Sequence, residues 1–103
     1  MIATSIQNKE LQEILDILET VEMAEIRLDR CALEEEEIER LFQDSDVPLI
    51  ATCRLSEEPQ APELLELAIR SGAKYADLEM EAPAAVGRRI REASPLCLRY
   101  RQC

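Results

Sequence analysis

Histidine and tryptophan are absent from this 103-residue sequence, and its aromatic content is one Phe and two Tyr. Without histidine the usual general base near pH 7 is missing, and so is His-ligated zinc. Basic residues are the minority, 12 Lys and Arg against 22 Asp and Glu for a formal charge of −10. That balance argues against nucleic acid or anionic lipid as an electrostatic partner. No apolar run reaches the ~18 residues of a membrane span. The start, Met1-Ile-Ala-Thr-Ser, has neither the basic segment nor the apolar core of a signal. A cytoplasmic location is the expectation. Four cysteines, at 31, 53, 97 and 103, show no close paired spacing and read as free thiols in a reducing compartment. Cys97 and Cys103 are two ligands, too few for a metal site, and no cofactor is expected. The length suits one small domain with a modest core, or part of a larger one.

What is present alternates between short β-like runs and amphipathic helices. Residues 2–6 place β-branched side chains at 2, 4 and 6. Asn8 or Lys9 opens a helix whose apolar stripe is Leu11, Ile14, Leu15, Leu18 and Val21. Residues 23–29 alternate strictly and predict a strand. Leu33, Ile38, Leu41 and Phe42 predict a second helix, and the acidic run 34–37 suits its solvated, dipole-positive start. Asp44-Ser-Asp46 is a turn. Residues 47–53 are continuously apolar, as in a strand covered by helices. After a loop at 56–60, Pro62 opens a third helix ending at Gly72. Residues 75–81 alternate as a fourth strand, and Pro83 opens a fourth helix running to about Ala93. Four strand–helix units in succession predict parallel strands joined by right-handed crossovers. That is half of a (βα)8 barrel with strands in sequential order, or alternatively an open α/β sheet of four strands.

Two strands break the apolar rule for buried parallel strands. In Glu25-Ile-Arg-Leu-Asp29 the charged residues share one face because the side-chain period is two. In Tyr75-Ala-Asp-Leu-Glu-Met-Glu81 the same holds for Asp77, Glu79 and Glu81. Burying unpartnered charge costs several kcal/mol, so these faces are solvated or matched to one another and to a ligand. Arg54 closes the third strand at its C-terminal end, where barrel sites are built. Ser5 ends the first strand in the same layer, and Glu58 follows in the next loop. Ser5, Glu25, Arg27, Arg54 and Glu58 are therefore candidates to converge on one mouth. Its two guanidiniums suit a carboxylate-bearing small molecule, and Glu25 suits orienting the arginines or accepting hydroxyl protons. A partly wetted sheet with paired surface charges fits the same pattern.

On these residues the sequence resembles the type I 3-dehydroquinate dehydratases, (βα)8 enzymes of the shikimate pathway of aromatic biosynthesis. The matching pieces are Ala3-Thr-Ser5-Ile, Ala24-Glu-Ile-Arg-Leu-Asp29, Val47-Pro-Leu-Ile-Ala-Thr-Cys-Arg54 and Lys74-Tyr-Ala-Asp-Leu-Glu79. The resemblance runs over residues 1–92 and covers the N-terminal half of the family barrel. It implies a lyase that converts 3-dehydroquinate to 3-dehydroshikimate and water through a lysine Schiff base, with a histidine as general acid and base. It further implies Ser5, Glu25, Arg27 and Arg54 as substrate-binding positions, with Glu58 and Asp29 as supporting acids.

The family histidine and lysine belong to the fifth and sixth strands, beyond the matching stretch. Lys9, at a helix start, and Lys74, at the bottom of the fourth strand, are not placed over a substrate carbonyl as a Schiff base requires. No catalytic residue is therefore assigned within the chain, and it is expected to be inactive alone. Residues 93–103 carry two Arg and no acid. They are expected to be an atypical tail, the mark of a truncated or frame-shifted frame or of a fragment. Open edges at the first and fourth strands predict a homodimer, a complementing C-terminal half, or marginal stability. The alternative is a non-enzymatic acidic half-barrel module that binds a partner protein or a small carboxylate. An unrelated anion-binding sheet would require a doubly wound strand order.

Overall fold

The architecture comes from a computed structural model, which describes residues 3–79, 84–93 and 98–101. Strands and helices alternate: β1 (Thr4–Ile6), α1 (Leu11–Leu18), β2 (Ala24–Arg27), α2 (Glu35–Asp44), β3 (Leu49–Thr52), α3 (Ala61–Ser71), β4 (Tyr75–Glu79), α4 (Ala84–Ala93) and β5 (Leu98–Arg101). The strands form one parallel sheet in the order β1-β2-β3-β4-β5. The sequential order is that of a growing barrel wall and excludes the doubly wound alternative, in which the strand order reverses and the neighbours at the switch point are not consecutive in sequence.

Two boundaries differ from the sequence expectation for local reasons. The first helix begins at Leu11, not at Asn8 or Lys9. Asn8 has a left-handed backbone (φ 58°) and its amide donates to the Arg30 carbonyl at 2.9 Å, so it belongs to the crossing from β1. Leu33 precedes α2 instead of lying within it. In both helices a glutamate is the N-cap, and the glutamate three residues later accepts from the cap amide: Glu10 N–H to Glu13 Oε1 at 3.1 Å, and Glu34 N–H to Glu37 Oε1 at 2.9 Å. The reciprocal capping box and the dipole explain why the acidic run 34–37 starts a helix.

A fifth strand lies within the segment set apart as a tail. Its backbone pairs with β4, with Asp77 in register with Arg99 and Glu79 with Arg101. The fourth strand is therefore not an edge; β1 and β5 are the outer strands. The expected Ile2, Glu81, Pro83, Cys97 and Cys103 lie outside the described residues.

One face of the sheet carries the core. Ile26, Ala51 and Cys53 are almost fully buried, as are Ile14, Ile38, Leu65 and Ile90 on the four helices. The Cys31 and Cys53 side chains are buried, and burial pushes the Cys31 thiol up from its ordinary value. No helix among the described residues is long and apolar enough to cross a membrane.

The end of α3 is the tightest point. Gly72 has φ 126° and its amide donates to the Ala68 and Ile69 carbonyls. A Cβ there would stand 2.8 Å from the Phe42 carbonyl oxygen of α2. Neither the backbone of α2 nor a positive φ accommodates a side chain cheaply. Gly72→Ala is expected to lower unfolding stability by about 1–3 kcal/mol, read from the urea midpoint.

Candidate active site

The opposite face of the sheet gathers polar residues because adjacent residues in a parallel register point the same way. Ser5 is in register with Glu25, Arg27 with Thr52, and Thr52 with Asp77. Within β2, Glu25 and Arg27 are two apart, so both project from this face. Lower in the same face Ile50 stands between Glu25 and Tyr75.

Glu25 is the centre of the arrangement. It is only 7 % exposed, yet its two oxygens have separate donors on the flanking strands. Ser5 Oγ donates to Oε1 at 2.9 Å, and Thr52 Oγ1 donates to Oε2 at 3.0 Å. Hydroxyls on β1 and β3 thus hold one carboxylate on β2 in a fixed orientation, which offsets the cost of covering it.

Arg27 and Asp29 form the second element. Arg27 Nε and Nη2 donate to Asp29 Oδ1 and Oδ2 at 3.1 and 2.8 Å. The Asp29 side chain is wholly covered and that of Arg27 is 15 % exposed. Asp29 lies past the end of β2, in the following turn, so its placement comes from the turn and not from strand alternation. Burial on its own would raise the Asp29 carboxyl. The Arg27 hydrogen bonds, hydrogen bonding with the neighbouring Glu57 and the Arg27 charge together outweigh it and hold the group below the ordinary aspartate value. Asp29 in turn raises Arg27 further.

Arg54 and Glu58 follow β3. Arg54 is two residues beyond Thr52 and partly exposed, and its guanidinium has no ion pair among the described residues. Its carbonyl accepts from the amides of Glu57 and Glu58. The Glu58 carboxylate turns toward α3, accepting from the Gln60 amide at 3.0 Å. The acid that reaches the arginines is its neighbour Glu57, which bonds Arg30 through both oxygens and lies 3.6 Å from Arg27 Nη2.

Sequence reasoning thus missed Thr52, Glu57 and Arg30, and left Asp77 as one of a charged face. Counting back two residues from Arg54 along β3 would have found Thr52. Glu57 carries no such signal, because a turn has no period. Asp77 is buried, in register between Thr52 and Arg99. Among the described residues no three His, Cys, Asp or Glu side chains group as metal ligands.

The covered Asp29–Arg27 pair makes stability depend on pH. The folded protein binds the Asp29 proton less readily than the unfolded chain does, so acid favours unfolding. The contribution is complete above the ordinary carboxylate range and is lost from about pH 5 downward. Asp29→Asn is expected to cost about 1.5–3 kcal/mol at pH 7 and to flatten the fall in urea midpoint between pH 6 and pH 3.

Comparison with known proteins agrees with this fold. No curated protein matches the chain. The family model described as type I 3-dehydroquinase matches residues 2–95, which takes in β1 to β4 with all four helices and every candidate residue above. With sequential parallel strands and nearly the whole chain inside that match, the chain belongs to the type I 3-dehydroquinase family.

Proposed function

We propose that this chain carries the substrate-binding half of a type I 3-dehydroquinase pocket and does not catalyse the dehydration by itself. The observation that carries the reading is Glu25, covered but held by hydroxyls from two neighbouring strands. A carboxylate fixed in this way on a polar sheet face is an acceptor oriented for a polyhydroxylated ligand. Ser5, Glu25 and Arg27 supply one wall. Arg54 supplies the cation for the ligand's carboxylate. Asp29 keeps the Arg27 plane in place, and Glu58 supports the loop through its bond to the start of α3.

The reaction implied by the family needs an amine over the ketone and a proton carrier beside it. This sequence has no histidine. Lys9 and Lys74 are exposed, the first before α1 and the second immediately before β4, at the opposite end of the strands from Arg54. Neither can attack a ketone bound beside Glu25. The proposed chain therefore binds a small carboxylate in the cytoplasm and depends on a complementing half, or on a second copy, for the remaining groups. The pairing of β4 with β5 moves the free edge outward without removing it.

Isothermal titration of the purified chain with quinate or 3-dehydroquinate tests the pocket. Arg54→Ala is expected to weaken binding about 10- to 100-fold. Turnover, or an imine trapped by borohydride, would overturn the proposed inactivity. Absence of quinate binding beside tight binding of a protein partner would favour a non-enzymatic acidic module.

Light scattering coupled to size exclusion tests assembly. A dimer, or a complex with a C-terminal half, is expected; a compact and stable monomer would overturn that part of the reading.

A further inference from the structure

Glu57 has no part in the reading above, yet its side chain crosses between two loops. It belongs to the turn that follows β3, and its amide donates to the Arg54 carbonyl at 3.1 Å. Its side chain leaves that turn and meets the end of β2. Oε1 accepts from Arg30 Nη2 at 2.9 Å and Oε2 from Arg30 Nε at 3.2 Å. The same Oε2 is 3.6 Å from Arg27 Nη2, which is itself bonded to Asp29. One carboxylate therefore joins the peptide that bears Arg54 to two guanidiniums at the end of the neighbouring strand, Arg30 being 27 residues away in sequence.

We propose that Glu57 is a positioning residue for the mouth, clamping the turn 54–58 to the end of β2 so that Arg54 is held beside Glu25 and Arg27 for an anionic ligand. The inference deepens the proposed binding function and rests on it. Two features point to position and not to stability. The Arg30 and Glu57 side chains are 44 % and 38 % exposed, so the pair adds little to global stability. The clamp is also bidentate, which fixes direction as well as distance. There is a consequence for charge. Arg27 already faces Asp29 and Glu57, so its positive charge is compensated from within. Arg54 is then the guanidinium left to meet an incoming carboxylate.

The test uses the full chain and the variants Glu57→Gln, Arg30→Gln and Arg30→Lys, with Arg70→Gln as control. Arg70 forms an exposed pair with Glu66 on α3, away from the mouth. Amide hydrogen exchange over 54–58 needs no ligand, and quinate affinity reads the function. Glu57→Gln and Arg30→Gln are expected to leave the urea midpoint almost unchanged. Both should speed exchange over 54–58 and weaken quinate binding, each about three- to tenfold. Arg30→Lys should recover part of both, and Arg70→Gln should change neither. Wild-type exchange and wild-type affinity in Glu57→Gln, while Arg54→Ala abolishes binding, would overturn the clamp and leave the pocket standing. If the parent chain binds no quinate, the pocket reading fails. Unchanged exchange in Glu57→Gln would then overturn the clamp as well, and accelerated exchange would support it as the device that holds the turn.

Discussion

A carboxylate buried between three strands constrains everything around it. Glu25 can be covered only if both oxygens are met by donors, because an unpaired buried charge costs several kcal/mol. The donors are hydroxyls on β1 and β3, at 2.9 and 3.0 Å. They reach it only in the register that sets Ser5 beside Glu25 and Thr52 beside Arg27. A slip of one residue would turn Glu25 toward Ile14 and the rest of the helix-side core and turn Ile26 out of that core. The polar tie and the apolar core therefore select the same register from opposite faces of the sheet.

A second polar system begins where the strands end. Arg27 lies flat against Asp29, and Glu57 reaches from the next loop to Arg27 and Arg30. The two parts differ in character. The Arg27–Asp29 fork is covered, so it contributes to stability and makes that stability sensitive to acid. The Arg30–Glu57 pair is wet, and what it contributes is alignment between loops. Rigid strands with short, tied loops at their C-terminal ends are the arrangement on which barrel enzymes place their binding groups.

The sheet remains open, and its two ends differ electrically. The first open strand, β1, is followed by α1 and its flanks, where Glu10, Glu13, Asp16, Glu19 and Glu22 stand with no base between them. At the other end α4 carries Arg88, Arg89 and Arg91 against a single Glu92. Arg89 is engaged at home, bonded to Glu66 at 2.6 Å and to Glu63 at 3.2 Å on α3. The α3–α4 seam is thus cross-linked by charge, while among the described residues β1 and β5 each pair on one side only.

Much of this was legible in the linear sequence because its determinants are local. Apolar period and turn residues identify four strand–helix units. Strict alternation around Glu25 and Arg27 shows that a polar face exists, and the Glu-x-Arg-x-Asp and Pro-Leu-Ile-x-Thr-x-Arg strands carry the family resemblance. Helix starts moved by a residue or two where a glutamate capping box or the left-handed Asn8 decided them. Only the tertiary structure chose the partners. That Thr52 completes Glu25, that Asp29 closes on Arg27, and that Glu57 and not Glu58 faces the arginines depend on strand register and on the path of a turn. The Thr52–Glu25 and Arg30–Glu57 contacts join residues 27 apart, and the Arg27–Asp29 fork, only two apart, follows the path of a turn, which no local period encodes. The same holds for β5: Leu98-Arg99-Tyr100-Arg101 alternates over only four residues, and pairing with β4 is what makes them a strand.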